Sequence, residues 1–528
     1  MSESFDWAAL ANNAASSDLY LRENVLLAAA KGFITPTSMP LEWNTRASAA
    51  AMKVFPTPVS VPIISIPRIE ILLVESRYHL IELKAAEADK RYVWHPYTQM
   101  EDWKKWDNRV IMRGKGFHLI DDKGRRYLDG TASMWCNVWG HSRNEIIAKM
   151  SAQFRTLQHS TLFGLANGPS IDLAEKLLKL AKGMESVFYS DNGSTAVEVA
   201  MKMALQFWRN KGNPKKKYFI ALEHGYHGDT LGAMSLGYIP NYFRAYKPIL
   251  TGVPVYRAPS PWNKGFYKSE DELGNACIEQ TEQIMSKHAQ ACAGLVMESG
   301  AQIAGGGIIY REGYQKRISE LCKKYDILLI LDEIATGFGR LGNMIEYLAQ
   351  RSVPDIVCFG KALTAGYSPL AVTLTTAEIY RAFLGNYSEG RHFYHGHTFT
   401  GHPIGCAAAL ANLDLYKREN LLQTIKYNSL YLGRRLKDIS KLPIVSRLRH
   451  KGLLAAFEVQ KNMKPIKYVR EKEPIQYYIM RESMKMGVFL RSLTNTMIVI
   501  PPLAIPRNDL QTLLDVQFRL LQKIEEEI

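Results

Sequence analysis

Cysteine is scarce in this chain, with six in 528 residues (Cys136, Cys277, Cys292, Cys322, Cys358 and Cys406) and no Cys-x-x-Cys among them. That spacing excludes a zinc ribbon and a disulfide scaffold, and it fits a reducing, cytoplasmic compartment. Long hydrophobic runs are also missing. No apolar stretch reaches the ~20 residues needed to cross a bilayer, so no membrane partner is expected. Clustered basic residues are absent as well, although the formal charge is +15. Lys and Arg are spread along the chain, and the densest run, Lys215-Lys-Lys217, follows Gly212-Asn-Pro214 and reads as a solvated loop. Such a distribution argues against nucleic acid as a partner and suits ligands that carry phosphate or carboxylate. No internal repeat is visible.

Residues 1–90 hold eight basic and ten acidic residues, so the basicity lies elsewhere. They lack the basic start and compact apolar segment of a secretory signal, and early acids (Glu3, Asp6, Asp18) make a poor transit peptide. Leu19–Ala30 could form one short helix and Val59–Val74 an extended arm; the region is expected to be a poorly ordered extension of unknown role. From Arg91 onward the pattern is more regular. Short apolar strands at Val187–Ser190, Tyr218–Leu222, Gly294–Glu298, Ile327–Asp332, Ile356–Phe359 and Leu370–Thr375 alternate with helical segments, which predicts an α/β fold with a doubly wound, mostly parallel sheet. A strand pair near Gly452–Glu458 and Met497–Ile500, among amphipathic helices, predicts a smaller α+β domain at the C-terminus.

Three features of this α/β pattern carry chemistry. Lys361 directly follows the apolar strand Ile356–Phe359 and Gly360. An amine there either snorkels to solvent or is held neutral by burial, as a nucleophile that forms a Schiff base must be. Asp332 ends the strand Ile327–Asp332, the place where open α/β sheets bind ligands. It either caps a helix or faces the protonated nitrogen of a pyridine cofactor. After the strand ending at Ser190, Gly193, Ser194 and Thr195 open a helix and offer backbone N–H groups and hydroxyls to a phosphate. Lysine, acid and phosphate cradle in this arrangement are a specific combination.

Longer stretches extend it: Trp94-His-Pro-Tyr-Thr-Gln-Met100, Tyr127-Leu-Asp-Gly130, Tyr189-Ser-Asp-Asn-Gly-Ser194, Gly225-Tyr-His-Gly-Asp-Thr230, Leu331 to Arg340, Gly360-Lys-Ala-Leu-Thr364 and His395-Gly-His-Thr-Phe399. In these the chain, from about Arg91 to its end, resembles the class III aminotransferases of fold type I. The resemblance implies pyridoxal 5′-phosphate as cofactor, and a division into residues 91–145 packing with the small domain, a cofactor-binding domain over 146–405 and a small domain over 406–528. It implies that Lys361 binds the cofactor covalently and moves the proton, and that Asp332 partners the pyridine nitrogen. Tyr226, otherwise an ordinary core tyrosine, would stack on the ring. Gly193 and Ser194 would hold the phosphate, with Thr398 reaching it from the other subunit of a homodimer with shared sites. Glu298 joins the polar network around the cofactor. Arg340 is either part of the site or structural.

His95-Pro-Tyr-Thr-Gln-Met100 is narrower within the class and points to its biotin-synthesis branch. That branch implies two small-molecule substrates, S-adenosyl-L-methionine as amino donor and 8-amino-7-oxononanoate as acceptor, giving 7,8-diaminononanoate in a ping-pong cycle. Tyr97 and Trp135 would line the pocket, and Arg491 would pair with the distal carboxylate of the acceptor. One position departs from the pattern: Met134-Trp135 stands where adenosylmethionine-using members carry two tryptophans, which leaves lysine open as the donor. A generic ω-aminotransferase, an aminomutase and a non-catalytic binding protein are the other readings. Only the first two would keep lysine, acid and cradle together.

Overall fold

In the computed structural model the described residues are 85–237, 239–250, 252–262, 269–470 and 473–528. The expected helix at Leu19–Ala30 and arm at Val59–Val74 lie outside them. The first sheet element is a meander of β1 (Ile111–Lys115), β2 (His118–Asp121) and β3 (Arg126–Asp129), antiparallel throughout. Its turn at Asp122-Lys-Gly124 is tied by Asp121 Oδ1, which accepts from Lys123 N at 3.0 Å and Arg125 N at 2.8 Å. The late strand Val488–Phe489 joins β3 in parallel, with Phe489 opposite Asp129.

The central sheet has seven strands: β4 (Ser186–Ser190), β5 (Tyr218–Leu222), β6 (Val255–Ala258), β7 (Cys292–Glu298), β8 (Leu328–Asp332), β9 (Ile356–Phe359) and β10 (Ala371–Thr375). Their order is β4-β10-β9-β8-β7-β5-β6, and only β10 runs against its neighbours. The doubly wound, mostly parallel expectation therefore holds. β6 is the strand that sequence reading missed: four residues, Val-Tyr-Arg-Ala, are too short and too polar to stand out by periodicity.

Alternation along the strands feeds two cores. Leu329, Leu331, Val357 and Phe359 pack on one face of the sheet, and Leu328, Ile330, Ile356 and Cys358 on the other. The second face is covered by the helix Gly193–Asn210, which buries Ala196, Val197, Ala200, Met201, Ala204 and Trp208. Toward the C-terminus Leu454–Lys461 pairs antiparallel with both Val445–Lys451 and Thr496–Val499, and the helix Arg507–Glu527 buries Leu510, Leu514, Leu521 and Ile524 against this region. Among the described residues no helix is long and apolar enough to cross a membrane.

Candidate active site

Parallel strands deliver their C-terminal residues to one edge, and here adjacent strands deliver a lysine and two acids. β7 ends at Glu298, directly opposite Asp332 at the end of β8. β9 runs parallel to β8, with Cys358 opposite Asp332, and three residues later comes Lys361. Lys361 opens a 3-10 turn with φ 44°, a left-handed conformation that turns the chain sharply out of the strand. Its amine is recessed. Burial pushes the amine pKa down, while the charges of Asp332 and Glu298 pull it back up.

Asp332 is 5% exposed. Its Oδ1 accepts from Ile334 N at 2.9 Å, and its Oδ2 lies 2.9 Å from His227 Nδ1. No helix follows it, since residues 334–340 form turns; the helix-cap reading of Asp332 is thereby removed. Glu298 accepts from the backbone N–H groups of Tyr226 (3.2 Å) and Ile303 (2.9 Å). Burial and the neighbouring Asp332 push its pKa up to about 8.

The helix Gly193–Asn210 starts beside these groups. Asn192 caps it through Thr195 N at 3.1 Å, and the Thr195 hydroxyl donates back to Asn192 O at 2.8 Å. Thr195 is thus consumed by the cap, contrary to the expectation that its hydroxyl faces a phosphate. The N–H groups of Gly193 and Ser194 are left without a partner among the described residues. A Cβ on Gly193 would come within 2.9 Å of Ile334, and one on Gly228 would collide with the Ser194 side chain. Ile334 also lies against Gly360, so helix start, acid and lysine share one apolar wedge.

Tyr226 follows β5, and its ring lies 6.4 Å from that of Phe243, the two planes 22° apart. Its hydroxyl donates to Asp229 Oδ2 at 3.1 Å, and the Tyr97 hydroxyl donates to Asp229 Oδ1 at 2.7 Å. Burial and the shared Asp229 carboxylate push both phenols up. Tyr97 meets Tyr242 edge-on at 5.3 Å, and Tyr242 feels the charge of Arg491. Arg491 is exposed and has no carboxylate partner among the described residues.

Trp135 closes another side, its ring 5.5 Å from Lys361 Nζ. It lies in an unusual segment, because Ala132, Ser133, Met134 and Trp135 all have positive φ (50°, 46°, 65° and 73°). Four successive non-glycine residues form one left-handed turn, which costs about 1–2 kcal/mol per residue. Met134 is 51% exposed at its rim.

Asp332 thus meets His227, the neighbour of Tyr226, Tyr226 shares Asp229 with Tyr97, and Trp135 stands by Lys361 at the end of the adjacent strand, with the Gly193–Ser194 helix start beside them. Thr398 differs: it stands exposed on the surface, two residues after Gly396, on which Phe163 packs. Arg340 makes structural bonds through one guanidinium nitrogen, while the other terminal nitrogen is buried without a partner among the described residues. It is 1% exposed and donates to Leu453 O (3.0 Å) and Pro501 O (2.8 Å), tying the loop after β8 to the C-terminal sheet region. Sequence reading missed His227 and Asp229. Both sit within Gly225–Thr230, just beyond the C-terminal end of β5, and that position was the available signal.

The comparisons with known proteins agree with this geometry. Residues 101–521 match the family Aminotransferase class-III. The chain is 44% identical over 431 residues to the adenosylmethionine-8-amino-7-oxononanoate aminotransferase of Geobacter sulfurreducens, covering 81% of this chain and 95% of that protein. The crystal structure of adenosylmethionine-8-amino-7-oxononanoate aminotransferase from Methanocaldococcus jannaschii superposes with a TM-score of 0.78 at 37% identity, covering 84% of this chain and 99% of that one. That of the omega transaminase from Pseudomonas jessenii in complex with PMP gives a TM-score of 0.78 at 29% identity, over 84% and 98% of the two chains. The chain belongs to the class III aminotransferases.

Proposed function

We propose that this enzyme transfers an amino group from S-adenosyl-L-methionine to 8-amino-7-oxononanoate, giving 7,8-diaminononanoate in biotin synthesis. The observation that carries the reading is a recessed amine at the sheet edge that also presents two buried acids, Asp332 and Glu298. The names of relatives 37–44% identical support the substrates, against 29% for the omega transaminase.

The cofactor of the class is pyridoxal 5′-phosphate, and the residues fit it. Two N–H groups at a helix start, without a partner among the described residues and kept open by Gly193 and Gly228, suit its phosphate, and a buried carboxylate suits its pyridine nitrogen. When bound, it supplies an aldehyde for amines and a ring that withdraws electrons from the substrate carbon. Lys361 would hold it, and burial, which lowers the amine's pKa, makes it readier to give up its proton and so to carry one from and to that carbon. Asp332, oriented by His227 and Ile334 N, holds the proton on the pyridine nitrogen. Tyr226 offers its ring face, and Asp229 fixes the hydroxyls of Tyr226 and Tyr97 at the entrance. Arg491 pairs with the distal carboxylate of the acceptor. Thr398, exposed in one chain, is the phosphate contact offered to a second copy, which makes the working unit a homodimer with shared sites in the cytoplasm.

Expression of this chain is expected to restore growth without biotin to a strain lacking the 8-amino-7-oxononanoate amination step. Failure to rescue by a protein that is folded and aminates other ketones would leave a generic ω-aminotransferase. A second reading, lysine as donor, is favoured by Met134 in place of an aromatic. An aromatic face contributes ~0.5–2 kcal/mol to a cation, and a polarizable thioether offers a softer contact to a sulfonium. Offering adenosylmethionine and lysine separately decides it: conversion of the cofactor by lysine alone would replace the donor and leave the acceptor standing.

Arg491→Ala is expected to cost ~2–5 kcal/mol in the acceptor half-reaction, the range for truncating one partner of a charge pair that is buried in the complex, here once the bound acceptor covers the guanidinium. The donor half-reaction should change little. An equal loss with an acceptor lacking the distal carboxylate would make Arg491 structural.

A further inference from the structure

The left-handed turn Ala132–Trp135 is held from beneath by one buried carboxylate. Asp129 is 0% exposed. Its Oδ1 accepts from Ser133 N at 3.0 Å and Thr131 Oγ1 at 3.3 Å, and its Oδ2 from Ser133 Oγ at 2.6 Å. His141 Nε2 lies 3.2 Å from the same Oδ2. Burial pushes the Asp129 carboxyl up, and the bonds from His141 and Ser133 outweigh it, so the group sits below the usual carboxylate range. The turn's own bonds are few: Trp135 N to Thr131 O, and Cys136 N and Asn137 N to Ala132 O. Non-glycine residues leave this conformation when nothing holds them. Asp129 also ends β3 opposite Phe489, two residues before Arg491, so one strand pair carries both the turn and the arginine.

We propose that Asp129 is a positioning residue for substrate: by clamping Ser133 it keeps the strained turn that sets Trp135 beside Lys361 and Met134 at the pocket rim. Ser133 and His141 are parts of the same clamp. The substrate side of this inference rests on the function proposed above; the clamp itself does not.

Cys136 follows the turn, its Sγ 3.1 Å from Ser133 O, and it is half-buried while the other five cysteines are buried. Its labelling by a thiol reagent such as Ellman's reagent in the holoenzyme therefore reports the turn without any substrate. Asp129→Asn is expected to speed labelling by about tenfold, the effect of weakening roughly one charge-assisted hydrogen bond. KM for both amine-bearing substrates should rise by a similar factor, with cofactor affinity unchanged. Removing the Asp129 charge also lowers the thiol pKa, since that charge helps to raise it. The double variant Asp129→Asn/Ser133→Gly separates the two effects. Glycine takes a left-handed φ at no steric cost, so the turn should re-form without the clamp, returning labelling and KM to within about threefold of wild type. A double variant as reactive as the single one would show that Asp129 acts through charge alone, and would overturn the proposal. Should Asp129→Asn not fold, Ser133→Ala decides, because it removes only the 2.6 Å bond; unchanged labelling and KM would again overturn it. If labelling responds as expected but wild type turns over neither donor, the function proposed above fails and the clamp stands.

Discussion

Replacing Asp332 with asparagine is expected to slow amino transfer by at least about a thousandfold, roughly 4 kcal/mol of barrier, while the protein stays folded and still binds cofactor. The carboxylate is oriented by two fixed groups, Ile334 N and His227, each 2.9 Å away. An amide of the same shape can still accept from Ile334 N, so the turn after β8 survives. What it cannot do is carry the negative charge that holds a proton on the pyridine nitrogen. Without that proton the ring no longer draws electrons from the substrate carbon, and the step that depends on it slows. Phosphate binding by the N–H groups of Gly193 and Ser194 is untouched, so cofactor should be retained through dialysis. Rates of the two half-reactions and the cofactor content of the purified variant check this. A loss smaller than tenfold would mean that Asp332 serves only to pin Ile334 and its turn.

The same residues mark where the sequence was legible. Lys361, Asp332 and Gly193 each lie at the end of an apolar strand or the start of a helix. Strand periodicity and the rule that ligands sit at the C-terminal edge of parallel strands were enough to place them. Glu298 was assigned through the family resemblance, at the end of its own strand. The contribution of His227 was hidden because its partner, Asp332, is 105 residues away, and only the sheet order brings β5 and β8 within reach through β7. Asp229 was hidden because its two phenol partners come from different segments, 132 residues apart in one case. Arg340 looked ambiguous since a buried guanidinium reads alike in a site and in a clasp. Its acceptors, two backbone carbonyls of the C-terminal region, carry no sequence signature. The left-handed turn at Ala132–Trp135 was the least legible feature, because none of its residues is glycine and left-handed backbone is ordinarily read from glycine or asparagine.

Lys361→Ala is expected to abolish turnover and to leave a protein that loses cofactor colour on dialysis. Lys361 is the amine that the C-terminal edge of the sheet places beside Asp332 and Glu298, at the end of β9. Without it no amine at that edge can hold the cofactor covalently, exchange it with an incoming substrate, or carry the proton at the reacting carbon. Folding should not suffer. Burial disfavours the charged amine, so removing it relieves a desolvation cost, and alanine meets the same left-handed φ of 44° that lysine already tolerates. The thermal midpoint of the cofactor-free variant should therefore match or exceed that of the cofactor-free parent. Lys361→Arg supplies the contrast: a guanidinium preserves the positive charge yet does not deprotonate, so it can neither attack an aldehyde nor shuttle a proton. Both variants should be equally inactive, with Lys361→Arg more disturbed in stability because a larger ion must stay beside Trp135. Measurable turnover in Lys361→Arg would reduce Lys361 to a fixed charge, and wild-type rates in Lys361→Ala would remove it from the reaction altogether.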